Sequence, residues 1–251
     1  MSGDGSEIAT LATELEEYGF VVVPELLSRQ EAAGLARAAV RILSRRPDAA
    51  EPEVQLRGIL NELPPSDYES FLPLMSHPIV LELARGQLGP DFEMAEFSLR
   101  LRKPGAPADA LRVTRPLDSI VAGGLPMPNL SFVLACSWLL SDLTRQNGGR
   151  IFVPFSHHAR RLPRPGVEYR FGVNLEAPAG SLVVFHDAVW HNFSAYEGSG
   201  EGRVELNGGY CARWMNPAVN DYSIVRKSVH ARLPPALQRL NRNPAADQAQ
   251  D

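Results

Sequence analysis

The chain has 251 residues, a formal net charge of −4 at pH 7 and a hydrophobic fraction of 44%. This length suits one large domain, and no Pro/Gly/Ser-rich linker divides it, so we expect a single domain. The modest charge and the scattered basic residues argue against nucleic acid or an anionic membrane as a partner. The polar N-terminal segment and the lack of an apolar run of ~20 residues predict a cytoplasmic protein.

The first part of the chain has mainly helical patterns. Apolar residues at helical spacing predict a helix over Glu7–Glu17, followed by an extended segment. A serine and a glutamate three residues apart form a capping-box pattern, which predicts a second helix over Arg29–Ser44. Residues 47–70 are rich in Pro, Glu and Asp and predict a surface excursion in which Pro64-Pro65 rules out a helix. Pro78 suits the first turn of a short helix that ends near Leu88.

The hydrophobic period changes from helical to alternating after Phe92. Between Phe97 and Leu101 apolar residues alternate with Ser98, Arg100 and Arg102, which predicts a strand with one face in solvent. Further strands are predicted at Leu130–Leu140, Arg150–Val153, Phe171–Leu175, Ser181–Phe185 and Arg203–Trp214. Many short strands separated by turns predict a sandwich or a barrel.

The order of these elements predicts an α+β protein. Helices occupy residues 6–90 and back the sheets, a β core spans about 91–216, and a helical tail covers about 217–242. The clearest helical pattern of the tail is Leu233–Leu240, and the polar residues 243–251 are expected to be frayed.

The stretch Ala179–Asn192 carries the densest set of candidate site residues. A buried strand over Ser181–Phe185 leads into a predicted loop with His186 and His191, and Arg203 begins the next strand. Imidazoles are good ligands for a transition metal, and the planar fork of an arginine suits a carboxylate. The stretch therefore predicts a site for a metal and a carboxylate ligand.

Three segments, in the right order, resemble the phytanoyl-CoA dioxygenase-like branch of the Fe(II)/2-oxoglutarate oxygenases. They are Gly19–Glu31, Ser137–His157 and Gly180–Asn192 with Arg203. The resemblance implies a double-stranded β-helix, also called a jelly roll or cupin-like fold, with Fe(II) and 2-oxoglutarate as cofactors. It also implies roles for three residues: His191 as the distal metal ligand, Arg203 as the partner of a 2-oxoglutarate carboxylate, and Trp138 in the wall of the co-substrate pocket.

The sequence departs from this family at the first two metal ligands. The family has His-x-Asp upstream, and the segment Leu111–Ile120 has no intact counterpart. In one register Pro116-Leu-Asp118 keeps the carboxylate, and in the other Asp118 takes the place of the histidine and Ile120 that of the aspartate. The first histidine is absent in both, so His191 and Asp118 are the remaining metal-ligand candidates.

A further departure concerns the co-substrate. Two residues after the distal histidine the family often has a small hydroxyl residue, whereas this chain has Phe193. The bulky ring predicts an altered 2-oxoglutarate pocket.

Three functions follow from these patterns. The first is an iron- and 2-oxoglutarate-dependent oxygenase that acts on a small apolar metabolite with an unusual metal shell. The second is a metal-independent isomerase, cyclase or dehydratase in which Asp118, His191 or His186 serves as acid or base. The third is a non-catalytic homologue that binds a metabolite or supports an active paralogue as a subunit. The expected partners are a small apolar metabolite and a second copy of the chain or a paralogous subunit. We expect a small-molecule tailoring enzyme of specialised metabolism. The missing histidine argues against ordinary Fe(II)/2-oxoglutarate chemistry.

Overall fold

The computed structural model describes residues 4–114, 116–128, 130–215 and 224–241. The helices are α1 (Asp4–Tyr18), α2 (Arg29–Leu43), α3 (Ile59–Glu62), α4 (Pro65–Tyr68), α5 (Leu72–Met75), α6 (Pro78–Leu88), α7 (Leu117–Ala122), α8 (Lys227–His230) and α9 (Pro235–Leu240). The strands are β1 (Phe20–Val23), β2 (Glu53–Arg57), β3 (Phe92–Arg102), β4 (Val133–Leu139), β5 (Arg150–Val153), β6 (Val173–Leu175), β7 (Leu182–His186), β8 (Trp190–Phe193) and β9 (Arg203–Ala212).

The strands form two antiparallel sheets. The larger sheet has the order β1-β7-β4-β9-β3-β2, and the smaller sheet has the order β6-β5-β8. Two facing antiparallel sheets with crossing connections are the architecture of a jelly roll. The expected α+β fold with a jelly-roll core is therefore confirmed.

One face of the larger sheet packs against the N-terminal helices. Trp138 of β4 and Leu206 of β9 share a single core cluster with Leu15 of α1, Leu43 of α2 and Leu83 of α6. Because side chains alternate along a strand, the intervening residues point the other way, toward the smaller sheet. The larger sheet thus separates a helix-covered core from the interior of the jelly roll.

The polar face of β3 lies inside the protein, which corrects the expectation of a solvent-facing side. Arg100 is 9% exposed and Arg102 is 0% exposed. Both face the smaller sheet, and the single carboxylate of Glu53, on the neighbouring strand β2, forms ion pairs with both of them. An alternating pattern indicates which residues share a face of the strand, but not whether that face is in solvent. Here the polar face is buried between the two sheets.

The N-terminal helices agree with the sequence pattern. The capping box is formed: the Ser28 hydroxyl accepts a hydrogen bond from the Glu31 amide at 3.2 Å, and the Ser28 amide donates to the Glu31 carboxylate at 2.8 Å. Gly180 forms the turn before β7 at a φ of 92°, and a Cβ there would lie 2.1 Å from the carbonyl oxygen of Leu27. The turn therefore requires glycine, and it docks β7 on the segment that leads into α2.

The prediction of a surface excursion at residues 47–70 was wrong. This segment contains β2, α3 and α4, and Val54 and Ile59 are fully buried. Pro65 is the first residue of α4, where its missing amide hydrogen costs no helical hydrogen bond.

The predicted frayed end at 243–251 lies outside the described residues. No helix in the described part of the chain is long and apolar enough to cross a membrane.

Candidate functional site

His191 lies on a strand and not in the predicted loop. It belongs to β8, which pairs with β5 on one side and with Arg112 on the other. The His191 amide donates to the Arg112 carbonyl oxygen at 3.0 Å, and the Arg112 amide donates to the His191 carbonyl oxygen at 3.0 Å. Residues that exchange both hydrogen bonds are directly opposite, so their side chains emerge on the same side of the sheet. The imidazole of His191 and the guanidinium of Arg112 are therefore neighbours.

The imidazole of His191 is buried against two aromatic rings. Its centroid lies 5.0 Å from that of Phe185 and 6.0 Å from that of Phe152. Nδ1 lies 2.9 Å from the carbonyl oxygen of Val189, which can only accept, so the hydrogen is on Nδ1 and Nε2 carries the lone pair. Burial lowers the pKa of His191 to about 3, and the positive charges of Arg150, Arg112 and Arg100 act in the same direction. His191 is thus a neutral hydrogen-bond acceptor at pH 7.

The positions beside His191 do not suit a divalent metal. A second imidazole and a carboxylate would have to project from the segment paired with His191. Arg112 lies directly opposite His191, and Thr114, two residues further along, donates its amide hydrogen to the Asp187 carbonyl oxygen at 2.7 Å. A guanidinium is permanently charged and has no lone pair to donate, and a threonine hydroxyl is neutral. In the described ranges no group of three His, Cys, Asp or Glu residues is placed to hold a metal ion. The residues present do not fit iron.

This geometry points to a register of the His-x-Asp segment that differs from both registers considered from the sequence. The triplet that begins opposite His191 is Arg112-Val113-Thr114, and Val113 lies in an apolar cluster with Trp190. Asp118 lies further along the chain, in α7, where its carboxylate accepts from the amide of Ser119 at 2.7 Å. The role of Asp118 in the site stays a prediction.

His186 lies on the other face of β7 from the residue that contacts His191. Phe185 points into the jelly roll toward His191, so the next residue along the strand points outward. The ring of His186 lies 5.3 Å from that of His157, and its Nδ1 is 2.9 Å from a carboxylate oxygen of Asp187. The structure therefore does not bring His186 and His191 together.

Arg203 is fully buried, and each of its three nitrogens already has a partner within the chain. Nε donates to the Asn147 carbonyl oxygen at 3.2 Å, Nη2 donates to the Gly148 carbonyl oxygen at 3.0 Å, and Nη1 donates to the carboxylate of Glu205. The other oxygen of Glu205 accepts from Arg150 at 2.6 Å. Arg203 is thus paired with a carboxylate of the protein, and its pairing with a 2-oxoglutarate carboxylate stays a prediction.

Glu205 is ionised despite being 1% exposed. Burial alone would raise the pKa of its carboxyl group, but the positive charges of Arg150, Arg203 and Arg100 outweigh burial and hold the pKa far below its ordinary value.

Ser137, and not Trp138, is the β4 residue that reaches this cluster. Its hydroxyl accepts from Arg150 at 2.8 Å and donates to the Asn207 side chain at 2.6 Å. The adjacent Trp138 points to the helix-covered core, where its ring meets His77 edge-on at 5.3 Å. The expectation that Trp138 lines a co-substrate pocket is corrected by the alternation of side chains along β4.

Sequence reasoning did not identify three buried residues that shape the site, namely Arg100, Arg150 and Glu205. A signal for two of them was present. Polar residues occupy alternate positions on β3 and on β9, and these two strands pair directly, with Arg102 opposite Arg203 and Arg100 opposite Glu205. Matching polar faces on two long strands indicate a charged interior.

An antiparallel jelly roll with a histidine and an arginine in its interior defines the class of the Fe(II)/2-oxoglutarate-type oxygenase folds. The chain belongs to the phytanoyl-CoA dioxygenase (PhyH) family, whose model matches residues 15–200. A curated relative, dioxygenase af480 of Aspergillus fumigatus strain Af293, is 29% identical over 237 residues, which cover 90% of this chain and 74% of that protein. The resemblance inferred from the sequence is confirmed, and with it the expectation of an enzyme of this family.

Solved structures of the same fold carry the expected cofactors. The non-heme alpha ketoglutarate dependent epimerase SnoN from nogalamycin biosynthesis has a TM-score of 0.62 at 19% identity over 83% of this chain and 84% of that chain. It has also been solved with Fe3+, alpha ketoglutarate and nogalamycin RO. HygX from Streptomyces hygroscopicus, solved with nickel, 2-oxoglutarate and hygromycin B, has a TM-score of 0.64 at 14% identity over 82% of this chain and 87% of that chain. These two structures thus hold a metal and 2-oxoglutarate, whereas the residue opposite His191 in this chain is an arginine.

Proposed function

We propose that the protein is a cytoplasmic tailoring enzyme of specialised metabolism that carries out redox-neutral chemistry on a small metabolite. The reaction class is isomerisation, cyclisation or dehydration. One observation carries the proposal: Arg112 lies directly opposite His191, where a metal ligand would have to be.

The arginine opposes a metal in two ways. It replaces a ligand, and even the loss of a group that only supports a ligand lowers metal affinity by about 10–100-fold. It also puts a permanent positive charge next to the place where a dication would bind. The carboxylate of Asp109 lies 3.7 Å from the Arg112 guanidinium and is paired with it, so it is not free to bind a metal.

The same arrangement suits an acid–base reaction of an anionic substrate. Arg112 is partly exposed, so its guanidinium can pair with a substrate carboxylate. The aromatic rings of Phe152 and Phe185 offer an apolar wall for the rest of the substrate. A substrate carboxylate beside Arg112 would raise the pKa of His191 from about 3, and Nε2 could then accept a proton from the substrate at one carbon or oxygen and return it at another. An anion beside Arg112 also offsets the repulsion that a protonated His191 would meet.

The test is turnover without metal or oxygen. Metal-stripped protein is incubated anaerobically with a panel of apolar carboxylic acids, and products are followed by mass spectrometry. We expect products that have the mass of the substrate or have lost one water, and we expect His191→Gln to abolish them. His158→Gln, which changes an exposed histidine outside the site, is the matched control. Turnover that requires Fe(II), 2-oxoglutarate and dioxygen, with oxygen added to the product, would refute the proposal.

A further inference from the structure

A cavity of about 340 Å³ lies outside the jelly roll, between the segment that carries α3 and α4 and the segment that carries α8. Asn61, Leu63 and Tyr68 line one side, and Arg226, Val229 and Arg232 line the other. Tyr68 belongs to the helix-covered core, which the larger sheet separates from the interior that holds His191. The volume is at the lower end of the range for small-molecule sites. The cavity is thus a separate candidate site for a small ligand.

The two walls of the cavity are joined by hydrogen bonds. The Asn61 side chain donates to the Ile224 carbonyl oxygen at 2.7 Å and accepts from the Arg226 amide at 3.0 Å. Nη2 of Arg226 donates to the Asn61 carbonyl oxygen. Because these bonds join distant parts of the sequence, they fix one wall against the other and hold the Arg226 guanidinium at the cavity. Its Nε and Nη1 have no hydrogen-bond partner among the described residues.

Tyr68 brings a hydroxyl without a partner to the same cavity. The residue is 2% exposed, and its hydroxyl forms no hydrogen bond with any described residue. Buried hydroxyl groups normally have a partner. Burial raises the pKa of Tyr68, so the hydroxyl is protonated at pH 7 and can donate, while the positive charge of nearby Arg232 acts in the opposite direction. The cavity is where this donor can find an acceptor.

Positive charge exceeds negative charge in the lining. Arg226 and Arg232 form no ion pair with any described residue, and Glu62 is the one acidic residue among the described residues of the lining. With the Tyr68 hydroxyl, the two guanidinium groups offer three separate donors. A phosphate monoester has three strong acceptor oxygens and a charge of about −1.5 to −2 at pH 7, whereas a carboxylate has two oxygens and a single charge. The donors and the charge therefore favour a phosphate group.

We propose that this cavity binds a small phosphate monoester that carries an apolar group. The phosphate accepts hydrogen bonds from Arg226, Arg232 and Tyr68, and the apolar group packs against Leu63 and Val229. Because the cavity lies on the helix-covered side of the larger sheet, the ligand does not occupy the jelly-roll interior. The inference therefore goes beyond the reaction proposed above and does not depend on it.

The test is isothermal titration calorimetry of the full chain with phenyl phosphate, and we expect the wild type to bind one equivalent. Tyr68→Phe removes only the hydroxyl, and Arg232→Gln removes one guanidinium. Each should weaken binding at least about tenfold, because each removes a hydrogen bond to a charged group. Arg239→Gln is the matched control, because it removes an exposed arginine of α9 that does not line the cavity, and it should bind as the wild type does.

Two comparison ligands separate the contributions of the phosphate and of the apolar group. Benzoate has the same ring with a carboxylate, and inorganic phosphate has the charge without the ring. We expect each to bind at least about tenfold more weakly than phenyl phosphate. Benzoate offers one acceptor oxygen fewer, and inorganic phosphate lacks the apolar contact.

The proposal would be overturned if phenyl phosphate did not bind to the wild type. Unchanged affinity in Tyr68→Phe and Arg232→Gln, or benzoate that binds as tightly as phenyl phosphate, would overturn it as well. His191→Gln should bind phenyl phosphate as the wild type does, and a loss of binding there would place the ligand in the jelly roll and reject the cavity. None of these results concerns turnover, so the two proposals fail separately.

Discussion

Arg112 and His191 exchange two backbone hydrogen bonds of 3.0 Å, which puts a guanidinium beside an imidazole in the jelly roll. The pair explains why a chain with the family fold and an interior Arg203 lacks the means to hold a divalent metal at this position. It also identifies the two substitutions that should restore a metal site.

The double variant Arg112→His, Thr114→Asp should bind Fe(II). It supplies an imidazole and a carboxylate on the segment opposite His191, which completes two histidines and a carboxylate on one face of the metal. Anaerobic calorimetry should show one equivalent of metal bound, with wild type showing none. The control is Arg37→His with Thr10→Asp, which introduces the same residues at exposed helical positions. Equal metal binding by the control would show that the paired segment is not the ligand position.

Removal of the positive charge of Arg112 should weaken substrate binding. Arg112→Gln removes a charge-assisted hydrogen bond of about 1.5–3 kcal/mol, so KM should rise about tenfold to hundredfold while kcat changes less.

Asp118→Asn tests the residue that the sequence nominated as acid or base. A general acid or base contributes about 10²–10⁴-fold, so a loss of that size in kcat for Asp118→Asn would move the catalytic role to α7.

Loss of the Glu205 charge should destabilise the fold. Glu205→Gln leaves the buried guanidinium groups of Arg150 and Arg203 without their shared carboxylate, which should lower the free energy of unfolding by about 3–5 kcal/mol. Glu82→Gln is the control, because Glu82 pairs with Arg85 at the surface, where an ion pair contributes less than about 1 kcal/mol. Urea unfolding measures both. A loss below about 1 kcal/mol for Glu205→Gln would contradict the charge balance inferred for the interior.

The stability of the protein should fall as the pH drops below about 6.5. Burial lowers the pKa of His191 to about 3 and that of His157 to about 4, from 6.5 in the unfolded chain. Between these values the unfolded state binds more protons, so each histidine should remove about 2 kcal/mol between pH 7 and about pH 5. Urea unfolding at the two pH values measures the loss. His191→Gln and His157→Gln should each reduce it, and an unchanged pH dependence in both variants would show that neither histidine is buried in its neutral form.

Much of the fold could be predicted from the sequence because it depends on local patterns. The capping box of Ser28 and Glu31, the turn at Gly180 and the strand at Phe92–Arg102 each have a signal within a few residues. The buried arginines could not be placed, since alternation tells which residues share a face and not which side of the sheet holds water. The 47–70 region was misread because proline at the first position of α4 is compatible with a helix.

The metal-ligand register depends on pairing between distant segments. A run such as Leu111–Ile120 offers several registers, and only the strand opposite it selects one. His191 and Arg203 could be proposed from the sequence because they lie close together, after the strand pattern of Ser181–Phe185 and at the start of the next predicted strand. Their partners have no such signal. Arg112 is about eighty residues from His191 in the sequence, and Glu205 has the pattern of an ordinary strand residue.

The central claim is that the residues beside His191 do not hold iron. The most direct test is anaerobic titration of the metal-stripped wild-type protein with Fe(II), with and without 2-oxoglutarate, followed by visible absorption and calorimetry. We expect no stoichiometric binding of iron and no metal-to-ligand charge-transfer band when 2-oxoglutarate is added. A stoichiometric band that depends on 2-oxoglutarate would contradict it and would return the protein to the iron-dependent oxygenases.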